Sequence, residues 1–249
     1  MLEVRDLKKT FGNLTALDDL SLNLDAEKVT ILIGPNGSGK TTLINVVSGF
    51  YKPDSGKIVF QSNEITDLPP HKIYKLGIAR TFQIPSLFWK LTVLENLLVA
   101  EKNNPGESFA KAMFKKMWVR EEENSVSKAV GVLRLTGLSE QWDKPAYLLS
   151  GGQMKLLEMG RALMSGAKLL MLDEPVSGVN PTLAHEIFAR IIKLRDTLGI
   201  TFLIVEHRLD IALGYVDHVH AMAYGKLIAS GDAEKVISDP KVVEAYLGK

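Results

Sequence analysis

Apolar residues along this chain follow three spacings. Val29 to Ile33, Leu169 to Leu172 and Thr201 to Val205 are nearly continuous apolar runs, the pattern of strands buried on both faces of a parallel sheet. Stretches with helical spacing, Thr42 to Ser48 and Met154 to Met164, alternate with them, so the spacing predicts an α/β layer. Leu20 to Leu24 alternates, Lys57 to Phe60 looks similar, and His218 to Ser230 reads as a hairpin turning at Tyr224 to Lys226. Together with the N-terminus these predict an antiparallel sheet beside the parallel core. From about Ile84 to Leu148 the pattern is mainly helical. The expected organisation is one domain over 1–249, with a core and antiparallel subdomain in lobes 1–83 and 160–249 and a helical lobe, 84–159, inserted between them. Asp239 and Pro240 have the cap and first-turn chemistry that opens a final helix.

Composition narrows the class. With 249 residues, 46% of them apolar, the chain can bury a substantial core. A net charge of +1 argues against an extended nucleic-acid surface. No apolar run reaches the length of a membrane span, and the start Met1 to Asp6 lacks a basic region followed by an apolar one. The expectation is a protein that reaches a membrane only through partners. There are no cysteines, so disulfides and thiolate metal sites are excluded, and cytoplasmic residence fits.

The chemistry begins immediately after the first apolar run. Gly34, Pro35, Asn36, Gly37, Ser38, Gly39, Lys40 and Thr41 match GxxxxGK[ST] in the strand, loop, helix context that motif requires. Glycines let successive N–H groups point at phosphate oxygens, and the helix from Thr42 adds its positive end. Lys40 is expected to bridge the β- and γ-phosphates and Thr41 to ligate Mg²⁺. This loop alone predicts a nucleoside triphosphate without separating ATPases, GTPases and kinases.

Leu169 to Leu172 ends in Asp173 and Glu174, and carboxylates at a strand end reach the crevice where open α/β sheets bind ligands. Asp173 suits the Mg²⁺ shell and Glu174 the attacking water. A third segment, Leu149, Ser150, Gly151, Gly152, Gln153, reads as an N-cap followed by bare N–H groups at a helix start. Such an end receives phosphate, yet it belongs to a segment separate from the phosphate loop. Two anion sites in one chain predict a dimer that shares them.

In order along the chain, the phosphate loop at 34–41, Gln83 after Arg80-Thr-Phe, the signature at 149–153, the carboxylates at 169–174 and His207 after Ile204-Val-Glu resemble the nucleotide-binding subunits of ABC transporters. The resemblance covers essentially the whole chain. It implies a P-loop ATPase core with a parallel sheet, an antiparallel β subdomain and an inserted helical subdomain. It also implies head-to-tail pairing of two such ATPases, identical or different, with Ser150, Gly151, Gly152 and Gln153 reaching the partner's ATP. On the chain's own ATP, Phe11 stands where an aromatic residue stacks on adenine, and Thr42 belongs to the phosphate-binding set. Gln83 would contact Mg²⁺ and the water, and His207 the γ-phosphate. The implied partners are membrane permease subunits and, indirectly, an extracytoplasmic substrate-binding protein, with the chain at the cytoplasmic face of the membrane.

Softer features resemble the branched-chain amino acid importers and their larger ATPase subunit: Ala79 to Gln83, Leu91 to Leu97, the ending Asp239 to Gly248, and Gly178-Val-Asn180-Pro181 where many relatives carry Asp in place of Asn180. An amide at 180 can hydrogen-bond across a dimer without charge. ATPases of lipopolysaccharide or lipid export share a similar ending and are the alternative. The stretch Asn103 to Asn124 resembles the larger subunit's insertion. Within it Phe109, Met113 and Met117 share one helical face, with Lys111, Lys115, Lys116 and Arg120 around them. This helix is expected to cover its own subdomain, with contact to a membrane partner or to anionic headgroups as the sharper alternative.

Overall fold

The computed structural model describes residues 1–82, 86–102 and 115–247, without the side chains of 115–118. Gln83, Phe109, Lys111 and Met113, and the side chains of Lys115, Lys116 and Met117, lie outside the described residues. The strands are β1 (Leu2–Phe11), β2 (Leu14–Leu24), β3 (Val29–Ile33), β4 (Ser55–Phe60), β5 (Asn63–Glu64), β6 (Ile78–Arg80), β7 (Leu169–Asp173), β8 (Thr201–Val205), β9 (His218–Ala223) and β10 (Lys226–Gly231). Among the described residues the α-helices are α1 (Lys40–Val47), α2 (Pro70–Leu76), α3 (Val93–Leu98), α4 (Lys115–Thr136), α5 (Gly151–Met164), α6 (Pro181–Leu198), α7 (Leu209–Ala212), α8 (Ala233–Ile237) and α9 (Pro240–Leu247).

Two sheets result. β2-β1-β4-β5 is antiparallel, and β10-β9-β3-β8-β7-β6 is parallel except at its β10 edge. The expected hairpin at 218–230 forms, but it joins the parallel sheet rather than the antiparallel one, with Ile31 of β3 opposite Val219 of β9. The physical reason lies in β9 itself: from Val219 to Ala223 every residue is buried, so both its faces need cover. Tyr224 and Gly225 turn the hairpin with φ of 52° and 77°, two consecutive left-handed residues that match the twist of the strands.

The continuous apolar runs are buried on both sides, as their composition requires. Val29, Ile31, Ile33, Leu170, Leu172, Phe202 and Ile204 face a cluster with α5 and α6, whereas Leu32, Leu169, Met171, Leu203 and Val205 face one with α1 and the antiparallel sheet. Alternation of side chains along each strand divides them between two cores.

The helices between the central strands are fixed by local polar chemistry. Thr92 caps α3: its hydroxyl accepts the Glu95 N–H at 3.1 Å, and the Glu95 carboxylate accepts the Thr92 N–H at 2.7 Å. One turn later Asn96, fully buried, donates from Nδ2 to the carbonyls of Phe88 and Thr92, each at 3.0 Å, and of Leu91 at 3.2 Å; its Oδ1 accepts the Phe88 N–H at 3.0 Å. This single side chain ties the loop before α3 to the helix.

Candidate functional site

β3, β7 and β8 run parallel, so the segments leaving their C-terminal ends emerge along one edge of the sheet, where open α/β sheets hold ligands. From β3 comes the loop of Gly34 to Gly39, from β7 Asp173 and Glu174, and from β8 Glu206 and His207. A cleft of about 280 Å³ is lined by Phe11, Asn36 to Thr42, Glu174, Val205 and His207. The phosphate loop, one of the strand-end carboxylates and the histidine are thus brought together.

The loop's shape depends on glycine at its first position. Gly34 has φ 148°, and a Cβ there would lie 2.1 Å from the carbonyl oxygen of Met222. Only glycine tolerates both. At the far end Lys40 is 6% exposed and donates from Nζ to Gly34 O at 2.8 Å, Pro35 O at 3.0 Å and Ser38 Oγ at 3.3 Å. Burial lowers its pKa, opposed by the charges of Glu174 and Asp173. The ammonium therefore sits inside the curl of the loop, with neutral oxygens as partners that a phosphate would replace by charged ones.

Asp173 closes β7 and is partly buried. Burial raises its pKa, Arg80 lowers it, and the adjacent Glu174 raises it further. Glu174 has left-handed backbone at φ 51°, an uncommon conformation for a non-glycine residue. Its N–H donates to Val205 O at 2.9 Å, and its carbonyl accepts Lys155 Nζ at 2.9 Å. These contacts turn the chain sharply and aim the carboxylate into the cleft, where Oε1 lies 3.4 Å from His207 Nε2.

Glu206 is a residue the sequence reading passed over. It is 1% exposed, and its carboxylate accepts the N–H groups of Val176 at 3.0 Å, His207 at 2.7 Å and Arg208 at 3.2 Å. One buried charge, satisfied by three amides, fixes the segment after β7 to the segment carrying His207. The sequence does hold the signal: an ionisable residue directly after five apolar strand residues.

Phe11, the last residue of β1, is 42% exposed at the rim and meets Tyr51 edge-on with centroids 5.3 Å apart. It belongs to neither apolar core; Lys9 Nζ stands over its ring at 5.4 Å from the centroid, so a planar ligand would have to take the face opposite Lys9 or displace it.

The signature segment lies elsewhere: none of residues 150–153 lines the cleft. Ser150 caps α5 as expected, its hydroxyl accepting the Gln153 N–H while the Gln153 side chain accepts the Ser150 N–H at 2.9 Å. Ser150 and Gly151 are exposed, whereas Gly152 is buried against Leu183 of α6. Asn180 accepts the Leu183 N–H at 2.9 Å and caps α6. Its Oδ1 is thereby engaged within its own chain.

Among the described residues no cluster of three or more carboxylates and histidines could hold a metal ion by itself. That donor set nevertheless fits Mg²⁺, which takes one or two protein oxygens and fills its shell with phosphate and water. Asp173 and the exposed Thr41 hydroxyl supply such oxygens.

The family description "ABC transporter" matches residues 17–177, and "Branched-chain amino acid ATP-binding cassette transporter" matches 226–249. A probable branched-chain amino acid transport ATP-binding protein, LivG, of Archaeoglobus fulgidus is 49% identical over all of this chain and 95% of its own length. The high-affinity branched-chain amino acid transport ATP-binding protein BraF of Pseudomonas aeruginosa is 38% identical over all of this chain and 98% of its own. A solved ATP-binding cassette of an ABC transporter, in its ADP conformation, superposes with a TM-score of 0.86 at 49% identity, covering 100% of this chain and 99% of that one. The sheet order, the shared cleft and these likenesses agree: the chain belongs to the ABC transporter family, as an ATPase cassette of its branched-chain amino acid branch.

Proposed function

We propose that this cassette binds Mg·ATP in the cleft beside Lys40 and, paired with a second ABC ATPase, hydrolyses it to power import of branched-chain or other hydrophobic amino acids. The observation that carries the proposal is the meeting of Asn36 to Thr42, Glu174 and His207 around one cleft while Ser150 and Gly151 stand exposed outside it. A phosphate receptor that does not face its own cleft is suited to the nucleotide of a second copy or a paralogue.

In this reading Phe11 stacks on adenine, the loop amides and Lys40 hold the phosphates, and Glu174 orients or deprotonates the attacking water. His207 holds the γ-phosphate against that water. Asp173, Thr41 and, by the sequence resemblance, Gln83 would hold Mg²⁺, which would supply charge neutralisation at the phosphates. Hydrolysis removes the anion joining the loop of one subunit to Ser150 and Gly152 of the other, and the difference in affinity between closed and open pairs drives the membrane subunits.

No helix among the described residues is long and apolar enough to cross a membrane, which fits a peripheral subunit at the cytoplasmic face. In this reading a permease helix docks at a groove of about 660 Å³ lined by Tyr74, Phe82, Phe88, Val99, Lys102 and Arg161, where Lys102 and Arg161 stand over the rings of Tyr74 and Phe88.

Gentle purification from native membranes tests the assignment. Two multi-span permeases and a second, shorter ATPase, with activity responding to a leucine-binding extracytoplasmic protein, are the expected companions. Lipid-export membrane proteins in their place would refute the importer reading, and ribosomes or DNA would refute transport altogether.

A further inference from the structure

The last helix reaches the nucleotide site. Tyr246, on α9, accepts the Gly34 N–H on its hydroxyl oxygen at 2.8 Å, across 212 positions of sequence. The helix is anchored by Val242, 3% exposed, and packs on β9 and β10. Burial raises the pKa of the Tyr246 phenol, opposed by the Gly34 hydrogen bond, so the hydroxyl stays neutral and keeps its proton at physiological pH.

Gly34 is held at both ends. Its N–H is bonded to Tyr246 and its carbonyl to Lys40 Nζ. A side chain at 34 would collide with Met222, so the residue cannot fix itself by packing. A phosphate that drew Lys40 Nζ to itself would exchange the bonds to Gly34 O and Pro35 O for bonds to the ligand and so release the carbonyl end. The Tyr246 hydroxyl then remains as the side-chain tie at the loop's first residue.

We propose that Tyr246 is a positioning residue for the phosphate loop: the terminal helix holds the Gly34 amide so that the loop keeps its nucleotide-binding curvature while Lys40 engages phosphate. This rests on the reading of the cleft as the ATP site. It gives the C-terminal segment, residues 226–249 of the branch-specific match, a role in nucleotide affinity. The tyrosine lies outside the cleft lining and touches no reacting atom.

The test uses the full chain with Mg·ADP as the binding probe and steady-state ATP hydrolysis. Tyr246→Phe keeps the ring and removes only the acceptor oxygen. The expected result is a rise of about three- to tenfold in the ADP Kd and the ATP KM, the range for one lost hydrogen bond, with kcat at saturating ATP within about twofold. A hydroxyl that merely stabilises the fold would lower Tm and leave KM unchanged, and that outcome overturns the proposal. Lys40→Ala, measured beside it, separates the two readings. Loss of ADP binding there with an unaltered Tyr246→Phe sinks the positioning role alone; unaltered binding in Lys40→Ala sinks the ATP site and this role with it.

Discussion

Glu174 and His207 face one another at 3.4 Å, Oε1 to Nε2, from the ends of two adjacent parallel strands. Their approach is set by backbone: Glu174 N–H is tied to Val205 O, and the His207 N–H to the Glu206 carboxylate. In the proposed mechanism both address one ligand, the carboxylate its attacking water and the imidazole its terminal phosphate.

Glu174→Gln tests that division. Glutamine keeps the shape and the backbone contacts but is no base, so hydrolysis should fall by about 10²- to 10⁴-fold while Mg·ATP binding persists. ATP should then accumulate the paired form, visible as a doubled mass in size-exclusion chromatography with light scattering. Turnover near the wild-type rate in this variant would remove Glu174 from the mechanism.

Glu206 makes a different prediction because it acts on backbone. Replacement by Ala strands the N–H groups of Val176, His207 and Arg208, of which Glu206 is the acceptor. The Val176 bond is buried and the other two partly so; Glu206→Ala should lose about 2–3 kcal/mol of stability, together with turnover as His207 loses its seat. Urea unfolding and ATP hydrolysis on the same preparation would check both; an unchanged midpoint would contradict the anchoring role.

Asn96 is the counterpart in the helical region. Its amide serves the carbonyls of Phe88, Leu91 and Thr92 and the Phe88 N–H in a fully buried setting. Asn96→Ala should cost about 2–4 kcal/mol with little change in the affinity of Lys40 for nucleotide, since Asn96 does not line the cleft. Denaturant titration and ADP binding measured together distinguish this from damage at the site.

The sequence carried the cleft better than the sheets. Loop and carboxylates were legible because each follows a continuous apolar strand, and parallel strands put their C-terminal ends together whatever their order; His207 was legible only through the family resemblance. The placement of β9 and β10 was not, since a hairpin pattern fixes the pairing of its own two strands and says nothing of the outer neighbour of β9. The position of Glu206 after an apolar strand marks it as unusual, but its role was not legible for a related reason: its partners are amides, and backbone groups leave no trace in a residue pattern. Tyr246 was legible only as part of a family ending, because its partner, an amide of Gly34, lies at the other end of the chain.

His220 predicts how stability responds to acid. It is 3% exposed on β9, with Nε2 3.0 Å from Asn23 O and its ring edge-on to His218 at 4.8 Å between centroids. Burial pushes its pKa down to about 4; the Asn23 carbonyl and Asp25 oppose this, and His218 adds to it. In the unfolded chain the group titrates near 6.5. Between those values the unfolded state binds more protons, so stability falls as pH falls, and above about pH 7 the term is flat. From pH 7 to pH 5 the loss should be about 2 kcal/mol. Asp54, held at about 2 by Thr10 and Lys9, gives up its contribution only as pH falls from 3.8 through 2, below this window. Other titrations cancel in a difference between proteins. His220→Gln lacks the ionising ring, so the stability gap between wild type and variant should shift by that amount, in the variant's favour, from pH 7 to 5. Thermal unfolding of both at each pH measures the gap, and a gap independent of pH would show that His220 is not held neutral by burial.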